Sequence, residues 1–397
     1  MKFRAAFGLS AVFAVVLPHA PAVAQTTCSA ANQYSFAFSS QTAQTLSYAS
    51  TYNYTATRPA GGTVNVQVSF QTFGISSSVV AGNQMPEIST LVTGSSVVNS
   101  LVLGAIFTGR TPDIAVDNRV VVTTFTFAQP VRELRMFLHD IDLSTNQFRD
   151  YVQILGSNGG STYTATLSTP QGNNNQGGPL TAGTSTVSFG PTGTPVTLTV
   201  DQAAGTASSG NNADTGNIDI LFVEPVTTLE LRYGNAPLTG TETNTGQQAI
   251  GVSSLSFCPL PQISVAKSSA PFDASGPERF NIPGTDVVYT LTVTNTGDST
   301  VDLNSTAVVD LLPPDVSFFN GDFNGAAAGT DNFEFVPGSS GLSLTPLNVE
   351  YSADGGVTYA HPIASGYDSV VDAIRFSPQG TFAANSSFII RFRARID

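Results

Sequence analysis

Several residue types that carry chemistry are scarce in this chain of 397 residues. It contains no Trp, two Cys and three His. Zinc sites need several Cys or His ligands, which this composition does not supply. A phosphate-binding P-loop needs a Lys after a Gly-rich turn, whereas Lys267, the only lysine beyond the first residues of the chain, follows no such turn. The sequence therefore excludes both classes of site.

Charge is also scarce, and one sign dominates it. Charged residues make up 11% of the chain, with 28 Asp and Glu against 15 Lys and Arg, so the formal net charge is -13. Such a surface repels polyphosphate, and we expect no nucleic-acid partner. Helix-forming charged residues are few while Ser, Thr, Asn, Gly and Val are abundant, which disfavours helical bundles and alternating strand–helix enzymes. The composition favours an all-β fold.

Long apolar runs are absent except at the N-terminus. Lys2 and Arg4 precede an apolar segment over residues 5–17, and residues 22–24 read Ala-Val-Ala. This pattern predicts a secretory signal peptide over residues 1–24 that is cleaved after its last residue. An uncleaved anchor is the alternative, although the run is short for a bilayer span. We expect a mature chain without a transmembrane segment that is secreted, at the cell surface or in the periplasm.

The two cysteines are Cys28 and Cys258. In an oxidising compartment, two cysteines without a third competitor most simply form a disulfide. This bond would close a loop of 230 residues, which the chain-entropy model values at about 5 kcal/mol at most. A reactive or metal-binding thiol is the alternative, but neither cysteine has a neighbouring His or second Cys in the sequence. The pairing marks the enclosed segment as one domain.

A short linker follows the second cysteine. Residues 259–262 read Pro-Leu-Pro-Gln, and a new strand pattern begins at Ile263. The predicted organisation is a signal peptide (1–24), an N-terminal β-sandwich closed by a disulfide (25–258), the linker, and an immunoglobulin-like β-sandwich (263–397).

Strand patterns dominate the first domain. Residues 64–70 alternate apolar and polar side chains, as in a half-buried strand, and Asn158-Gly159 predicts a tight hairpin turn. A weak internal repeat relates residues 127–136 to residues 222–231, each copy having a Pro between two strand patterns. Because Pro cannot join a hydrogen-bonded ladder, the repeat predicts two corners where strands pass between sheets.

Clustered acidic residues mark the stretch of the sequence with the most functional-group chemistry. Asp140 and Asp142 project to one face of an extended backbone, and Asp150 can return to them across a loop. Hard cations prefer such oxygen ligands, so we consider a calcium site. An EF-hand is excluded because Thr145 stands where Gly is needed and Tyr151 where the bidentate Glu belongs. The alternative interpretation is a strand end followed by Asp-capped turns.

Glycan binding requires an aromatic platform. Trp is absent, which weakens that hypothesis, but Tyr52 and Tyr54 lie on one face of a predicted strand. They offer a small stacking surface, or else they cover the sandwich core.

The sequence offers little for catalysis. His139 and His361 are the histidines of the predicted mature chain, and no G-x-S-x-G elbow accompanies them. A carboxylate pair of the glycosidase type would have to combine Asp140 or Asp142 with Asp219. We predict that the chain is not an enzyme and has no cofactor unless calcium binds.

The second domain carries a recognisable combination of motifs. Gly284 and the strand pattern of residues 286–295 precede Gly297, and residues 309–318 read Val-Asp-Leu-Leu-Pro-Pro-Asp-Val-Ser-Phe. These motifs, and an Asp-Gly-Gly segment that predicts a hairpin at Asp354, resemble the DUF11 conserved-repeat family of bacterial exported and surface proteins. Thr285 is an insertion relative to the family pattern. The resemblance implies an immunoglobulin-like fold and a structural or adhesive module without catalytic machinery.

The final alternating run, residues 388–396, is expected to close this sandwich, with its arginines on the exposed face opposing edge-to-edge aggregation. Together these patterns favour a non-catalytic exported protein with a structural or adhesive role and a cell-surface or extracellular partner, protein or glycan. The alternative is a glycan-binding or glycan-cleaving accessory protein.

Overall fold

The computed structural model is almost entirely β. It describes residues 28, 30–107, 113–144, 147–168, 185–188, 195–236, 246–273, 276, 279–297, 299–323 and 332–397. Strands account for 56% of the structure and helices for 3%, which confirms the all-β class. The predicted signal peptide and Thr145 lie outside the described residues. In the part of the chain that is described, none of the helices combines the length and apolarity that crossing a bilayer would demand.

The first hydrophobic core gathers strands from residue 34 to residue 259. These strands are β1 (Tyr34–Ala37), β2 (Gln44–Thr45), β3 (Thr51–Thr57), β4 (Thr63–Phe73), β5 (Ile75–Ser77), β6 (Val79–Val80), β7 (Asn83–Gln84), β8 (Glu87–Ser89), β9 (Ser100–Phe107), β10 (Val120–His139), β11 (Leu143–Ser144), β12 (Phe148–Asn158), β13 (Ser161–Thr164), β14 (Thr166–Ser168), β15 (Ser185–Ser188), β16 (Pro195–Leu198), β17 (Gln202–Ala204), β18 (Ile218–Phe222), β19 (Val226–Asn235) and β20 (Gln247–Pro259). Short 3-10 helices occupy Phe38–Ser40 and Gly94–Ser96. We call this part the first module.

The second hydrophobic core lies between Val287 and Ala394 and shares no residue with the first. The strands around it, which with their connections we call the second module, are β21 (Ile263–Pro271), β22 (Asp286–Asn295), β23 (Val308–Leu311), β24 (Val316–Asn320), β25 (Phe333–Val336), β26 (Val349–Ser352), β27 (Gly366–Asp368), β28 (Ala373–Phe376) and β29 (Ser386–Ile396). One 3-10 helix, Pro346–Asn348, precedes β26.

Most strands of the first module belong to one hydrogen-bonded sheet that folds over its own core. The strand order is β11-β12-β19-β10-β4-β3-β1-β20-β9-β8-β2, and β10 also pairs with β20. The first half of β10 pairs with β4 and β19, whereas its second half pairs with β18 and β20. A long strand thereby passes from one layer to the other, so the layers are joined rather than separate.

The two predicted corners differ in form. At Pro130 the strand continues through a bulge, with the register to β19 shifting between Thr126 and Val131. In the second copy the strand stops at Phe222 and resumes at Val226. Proline explains both outcomes because it has no N–H to donate to a ladder.

Local sequence patterns act as expected elsewhere in this module. Along β4, Val66, Val68 and Phe70 are buried while the residues between them are more exposed. The predicted hairpin forms between β12 and β13, where Gly159 and Gly160 have positive φ angles of 57° and 86°. Glycine adopts that backbone region without a steric penalty.

A disulfide joins Cys28 to Cys258, with 6.3 Å between their Cα atoms. Cys258 lies near the end of β20, and the register places Tyr34 of β1 opposite Phe257 of β20. The covalent bond therefore lies beside the ladder that joins the first and last strands of the module.

In the second module, two sheets pack against a common core. One has the order β21-β22-β29-β24-β27, with β25 also on β29, and the other has the order β23-β28-β26. From β22, Val287, Leu291 and Val293 are buried and Tyr289 is half-buried, in agreement with the alternating pattern.

Two expectations for this module are wrong. The final strand β29 is not an edge, because it pairs with β22 on one side and with β24 and β25 on the other. Its arginines are half-buried and form ion pairs, with Arg391 on Glu334 and Arg393 on Asp286. At Asp354 a turn forms through Gly355 and Gly356, but the ladder of β26 is with β28, and the segment after the turn contributes the hydrogen bond from His361 N to Tyr351 O (3.1 Å).

The connection between the modules is short and held on both sides. Only three residues separate the end of β20 from the start of β21. Leu260 N donates to Pro130 O (2.8 Å) in the first module, and Gln262 N donates to Asn295 Oδ1 (3.2 Å) in the second. Arg132 and Asp302 add an ion pair of 3.3 Å between the modules.

We expect reduction of the disulfide to destabilise only the first module. Reducing agent, or the double substitution Cys28→Ser and Cys258→Ser, should lower the melting temperature of the first module in calorimetry by about 10 °C. The reason is that the unfolded first module regains chain entropy. The second module has no cysteine, so its transition serves as the internal control. An unchanged melting temperature of the first module after verified reduction would contradict this interpretation.

Candidate functional site

The structure brings Asp140, Asp142 and Asp150 together at one end of the first module. Asp140 and Asp142 follow the end of β10, and Asp150 lies on β12. Asp150 N donates to Asp142 O at 2.9 Å, and Asp142 N donates to Asp150 Oδ2 at 3.2 Å. Their exposed fractions are 6%, 7% and 1%, so this acid cluster is part of the interior.

Two glycines of the 205–217 segment allow this approach. A Cβ at Gly205 would lie 1.9 Å from the carbonyl oxygen of Asp142, and one at Gly216 would lie 2.8 Å from the Cα of Asp140. Gly216 O also accepts a hydrogen bond from Ile141 N (2.9 Å). Asp140 itself has a φ of 65°, a left-handed conformation that a turning strand end requires and that Asp tolerates better than most residues.

Each carboxyl group has a different set of partners. Asp150 Oδ1 accepts a hydrogen bond from the hydroxyl of Tyr233 (2.7 Å), and Asp142 Oδ2 accepts one from Ser209 N (2.8 Å). Asp140 Oδ1 is buried and has no hydrogen-bond partner. Among the described residues, no basic side chain forms an ion pair with any member of the acid cluster.

Burial without a counter-charge raises the pKa values of all three carboxyls in the cluster. Burial, followed by the charge of Asp142, raises the pKa of Asp140 from 3.8 to about 7. Burial also raises the pKa of Asp142, against the hydrogen bond from Ser209. For Asp150, burial and then the neighbouring Asp142 raise the pKa well above its usual range, although Tyr233 opposes this effect. The cluster therefore retains protons at pH values where exposed carboxyls are ionised.

This geometry does not support the calcium hypothesis. Among the described residues, no group of three or more His, Cys, Asp or Glu side chains is arranged to hold a metal ion.

Asp219, considered as the partner of Asp140 or Asp142 in a carboxylate pair, makes its ionic contact elsewhere. This residue lies on β18 opposite Phe137 of β10 and forms an ion pair with Arg135 (3.6 Å). Burial raises its pKa and Arg135 lowers it, with no contribution from the acid cluster.

The two histidines of the predicted mature chain bind polar neighbours in different modules. His139 Nδ1 lies 2.7 Å from Asn217 Oδ1 and is buried. His361 Nε2 lies 3.0 Å from Asp368 Oδ2, which also accepts a hydrogen bond from Ala364 N (2.8 Å). Both contacts hold a loop against a strand.

The aromatic pair on β3 does not form a ligand platform. Tyr54 is 7% exposed and packs against Phe36 and Phe38 in the core. Tyr52 is half-buried, its ring meets Phe70 edge-on, and its hydroxyl accepts a hydrogen bond from Ser47 N (2.8 Å). The structure agrees with the alternative interpretation, in which these two tyrosines cover the core.

A cavity of about 250 Å³ lies near the end of β20, lined by residues that include Asn65, Phe127, Gln129 and Phe257. Its volume is below the 300–1,000 Å³ range of drug-sized ligand pockets. We assign it no ligand.

Sequence reasoning missed an ionic centre in the second module. Asp286, 1% exposed, binds Arg393 and Arg395 and accepts a hydrogen bond from the hydroxyl of Tyr367 (2.7 Å). The Arg393 guanidinium also stacks on Phe272, 3.6 Å from the ring centre. These contacts hold the pKa of Asp286 below its usual value against the effect of burial. The arginines at alternate positions of the last strand were the sequence feature that could have indicated this ionic centre.

No protein-family model matches the chain, and no curated protein matches its sequence.

The acid cluster predicts that the first module loses stability as pH rises. A carboxyl whose folded pKa exceeds its unfolded value contributes stability at low pH and loses it as pH rises through the folded pKa. For Asp140 this window runs from 3.8 to about 7. Asp140→Asn should leave the melting temperature nearly unchanged at pH 3.5 and raise the stability of the first module at pH 8 by about 4 kcal/mol. Asp315→Asn, at an exposed position, is the control.

Calcium provides an independent test of the same cluster. At pH 8 we expect the melting temperature of the first module to be the same with calcium and with chelator, because the described carboxyls do not form a ligand set. A calcium-dependent rise that Asp140→Asn abolishes would restore the calcium hypothesis.

Proposed function

We propose that this chain is a non-catalytic exported protein with a structural or adhesive role, located at the cell surface, outside the cell or in the periplasm. The Cys28–Cys258 disulfide is the observation that carries the proposal. A bond between the ends of a 230-residue segment persists in oxidising compartments and is rare in the cytosol. The predicted signal peptide leads to the same compartment.

The chemistry of the candidate site supports a non-catalytic role. An acid, a base or a nucleophile must reach its substrate, whereas the three carboxyls of the acid cluster are more than nine-tenths buried. The cluster instead ties the end of β10 to β12 and to the 205–217 segment. We assign it to the internal structure of the first module.

The resemblance of residues 263–397 to the DUF11 family supports an adhesive or structural module. Two features of the second module suit an immunoglobulin-like domain: two sheets share one core, and the Asp286–Asn295 motif forms a central strand. We propose a cell-surface or extracellular protein or glycan as its partner. The glycan-binding alternative for the first module loses its motivation, because Tyr54 belongs to the core.

Export can be tested by blocking signal cleavage. In a bacterial host with a periplasm, we expect the wild-type chain outside the cytoplasm, with a mature N-terminus at Gln25 and an oxidised disulfide. Ala24→Asp should leave an uncleaved precursor, because the cleavage site requires a small residue, whereas Ala24→Ser should be processed normally. Fractionation, N-terminal sequencing and thiol labelling are the measurements. A wild-type chain confined to the cytoplasm with free thiols would overturn the proposal.

A further inference from the structure

The disulfide creates a covalent shortcut along the chain. Cys28 precedes the first strand of the first module and Cys258 lies near the end of its last strand, with 6.3 Å between their Cα atoms. Tension that enters the chain before Cys28 and leaves after Cys258 therefore passes through the S–S bond. The chain between them, which spans a sequence separation of 230, carries none of this load, because a covalent bond is far stiffer than the folded path around it.

The load then reaches the second module almost directly. Pro259 ends β20, and three residues later β21 begins at Ile263. The backbone of this linker is bonded to both modules, through Leu260 N to Pro130 O and through Thr296 N to Gln262 O (2.8 Å each).

The register of the second module decides how the load acts there. Ile263, the first residue of β21, lies opposite Asn295, the last residue of β22, and Asn295 lies opposite Ser386, the first residue of β29. The strands β21 and β29 therefore start at the same end of the sheet and run in the same direction. Ile396, the last residue of β29, lies at the opposite end. Pulling Ile263 and Ile396 apart slides the strands along one another.

Sliding is the strong direction of an antiparallel ladder. Its hydrogen bonds run perpendicular to the strands, so force along the strands loads all of them together, whereas force across the strands breaks them in turn. The β21–β22 ladder spans nine residues and the β22–β29 ladder spans ten. Because β29 has partners on both sides, whereas among the described strands β21 pairs with β22 alone, we expect the β21–β22 ladder to fail first.

Side-chain ties also hold β21 to the opposite sheet and β22 to β29. Lys267 of β21 reaches the opposite sheet, where its Nζ lies 2.8 Å from Asp310 Oδ1 and donates to Leu311 O (3.2 Å). Asp286 of β22 pairs with Arg393 and Arg395 of β29. The only lysine beyond the first residues of the chain therefore anchors the strand that receives the load.

We propose that this protein bears tension along its chain, with the Cys28–Cys258 disulfide excluding the first module from the load and the β21–β22–β29 ladders resisting it in shear. This inference rests on the proposed structural or adhesive role and gives it a mechanical form.

Single-molecule force spectroscopy tests the shortcut. The full chain, held by handles at the two ends of residues 25–397, should show one unfolding step of about 400 Å when oxidised, which is the length released by the second module. Reducing agent should add a step of about 800 Å from the first module. A step of about 800 Å in a chain with a verified disulfide would overturn the proposal.

The shear geometry is tested by moving one handle. The C-terminal handle is moved to the exposed Thr296 through a non-cysteine chemistry. The force then acts on the same end of β21 and β22, and it should break the hydrogen bonds of their ladder one after another. We expect the unfolding force to fall severalfold relative to end-to-end pulling, since forced unfolding is governed by the barrier to the first rupture. Equal forces in the two geometries would refute the shear arrangement.

A matched pair of variants tests the lysine tie. Lys267→Met removes the tie to Asp310, whereas Glu350→Gln removes the ion pair with Arg375, which lies between β26 and β28 outside the loaded ladders. We expect only Lys267→Met to shorten the lifetime of the second module under constant force. Equal lifetimes for Lys267→Met and wild type would remove Lys267 from the mechanism. These experiments use purified protein, so their failure is distinguishable from a failure of export.

Discussion

The closure of the first module at its two ends is the constraint on which the rest of the structure depends. The disulfide and the β1–β20 ladder lie side by side, so the first and last strands are joined both covalently and by hydrogen bonds. This closure brings the chain back to its starting point before the linker begins. As a result, the second module is attached at the site of the covalent bond, and a long insertion of strands lies outside the direct path between the ends.

Within that closed module, burial of acid groups opposes stability. Three carboxyls gather where β10 ends, and no described basic side chain pairs with them. The chain accommodates them through Tyr233, through the Ser209 amide and through retained protons. Two glycines make the close backbone contacts possible. The second module solves the same problem differently, because Asp286 is buried beside two arginines and a tyrosine hydroxyl.

Some features of the candidate regions could be predicted from the sequence, and others could not. The sequence could predict that Asp142 and Asp150 converge, because a strand ends between them and the chain returns. It could not predict that they lack a counter-charge. Tyr52 and Tyr54 lie on the same face of one strand, and the sequence pattern does not distinguish them. In the structure, Tyr54 is buried because it packs against Phe36 and Phe38. The arginines of β29 show an edge-like pattern, although the strand is central, because the pattern reports alternation and not the number of neighbours.

The sequence by itself determined the class of fold, the strand periodicities, the Asn-Gly hairpin and the identity of the two cysteines, since these depend on residues close together in the chain or on composition alone. Only the tertiary structure decided which strands are neighbours, which acids lack a partner, and that β21 and β29 run in the same direction. The reason is physical: a residue's local conformation is set by its own backbone and side chain, whereas its partners are set by packing between segments that are separated in the sequence.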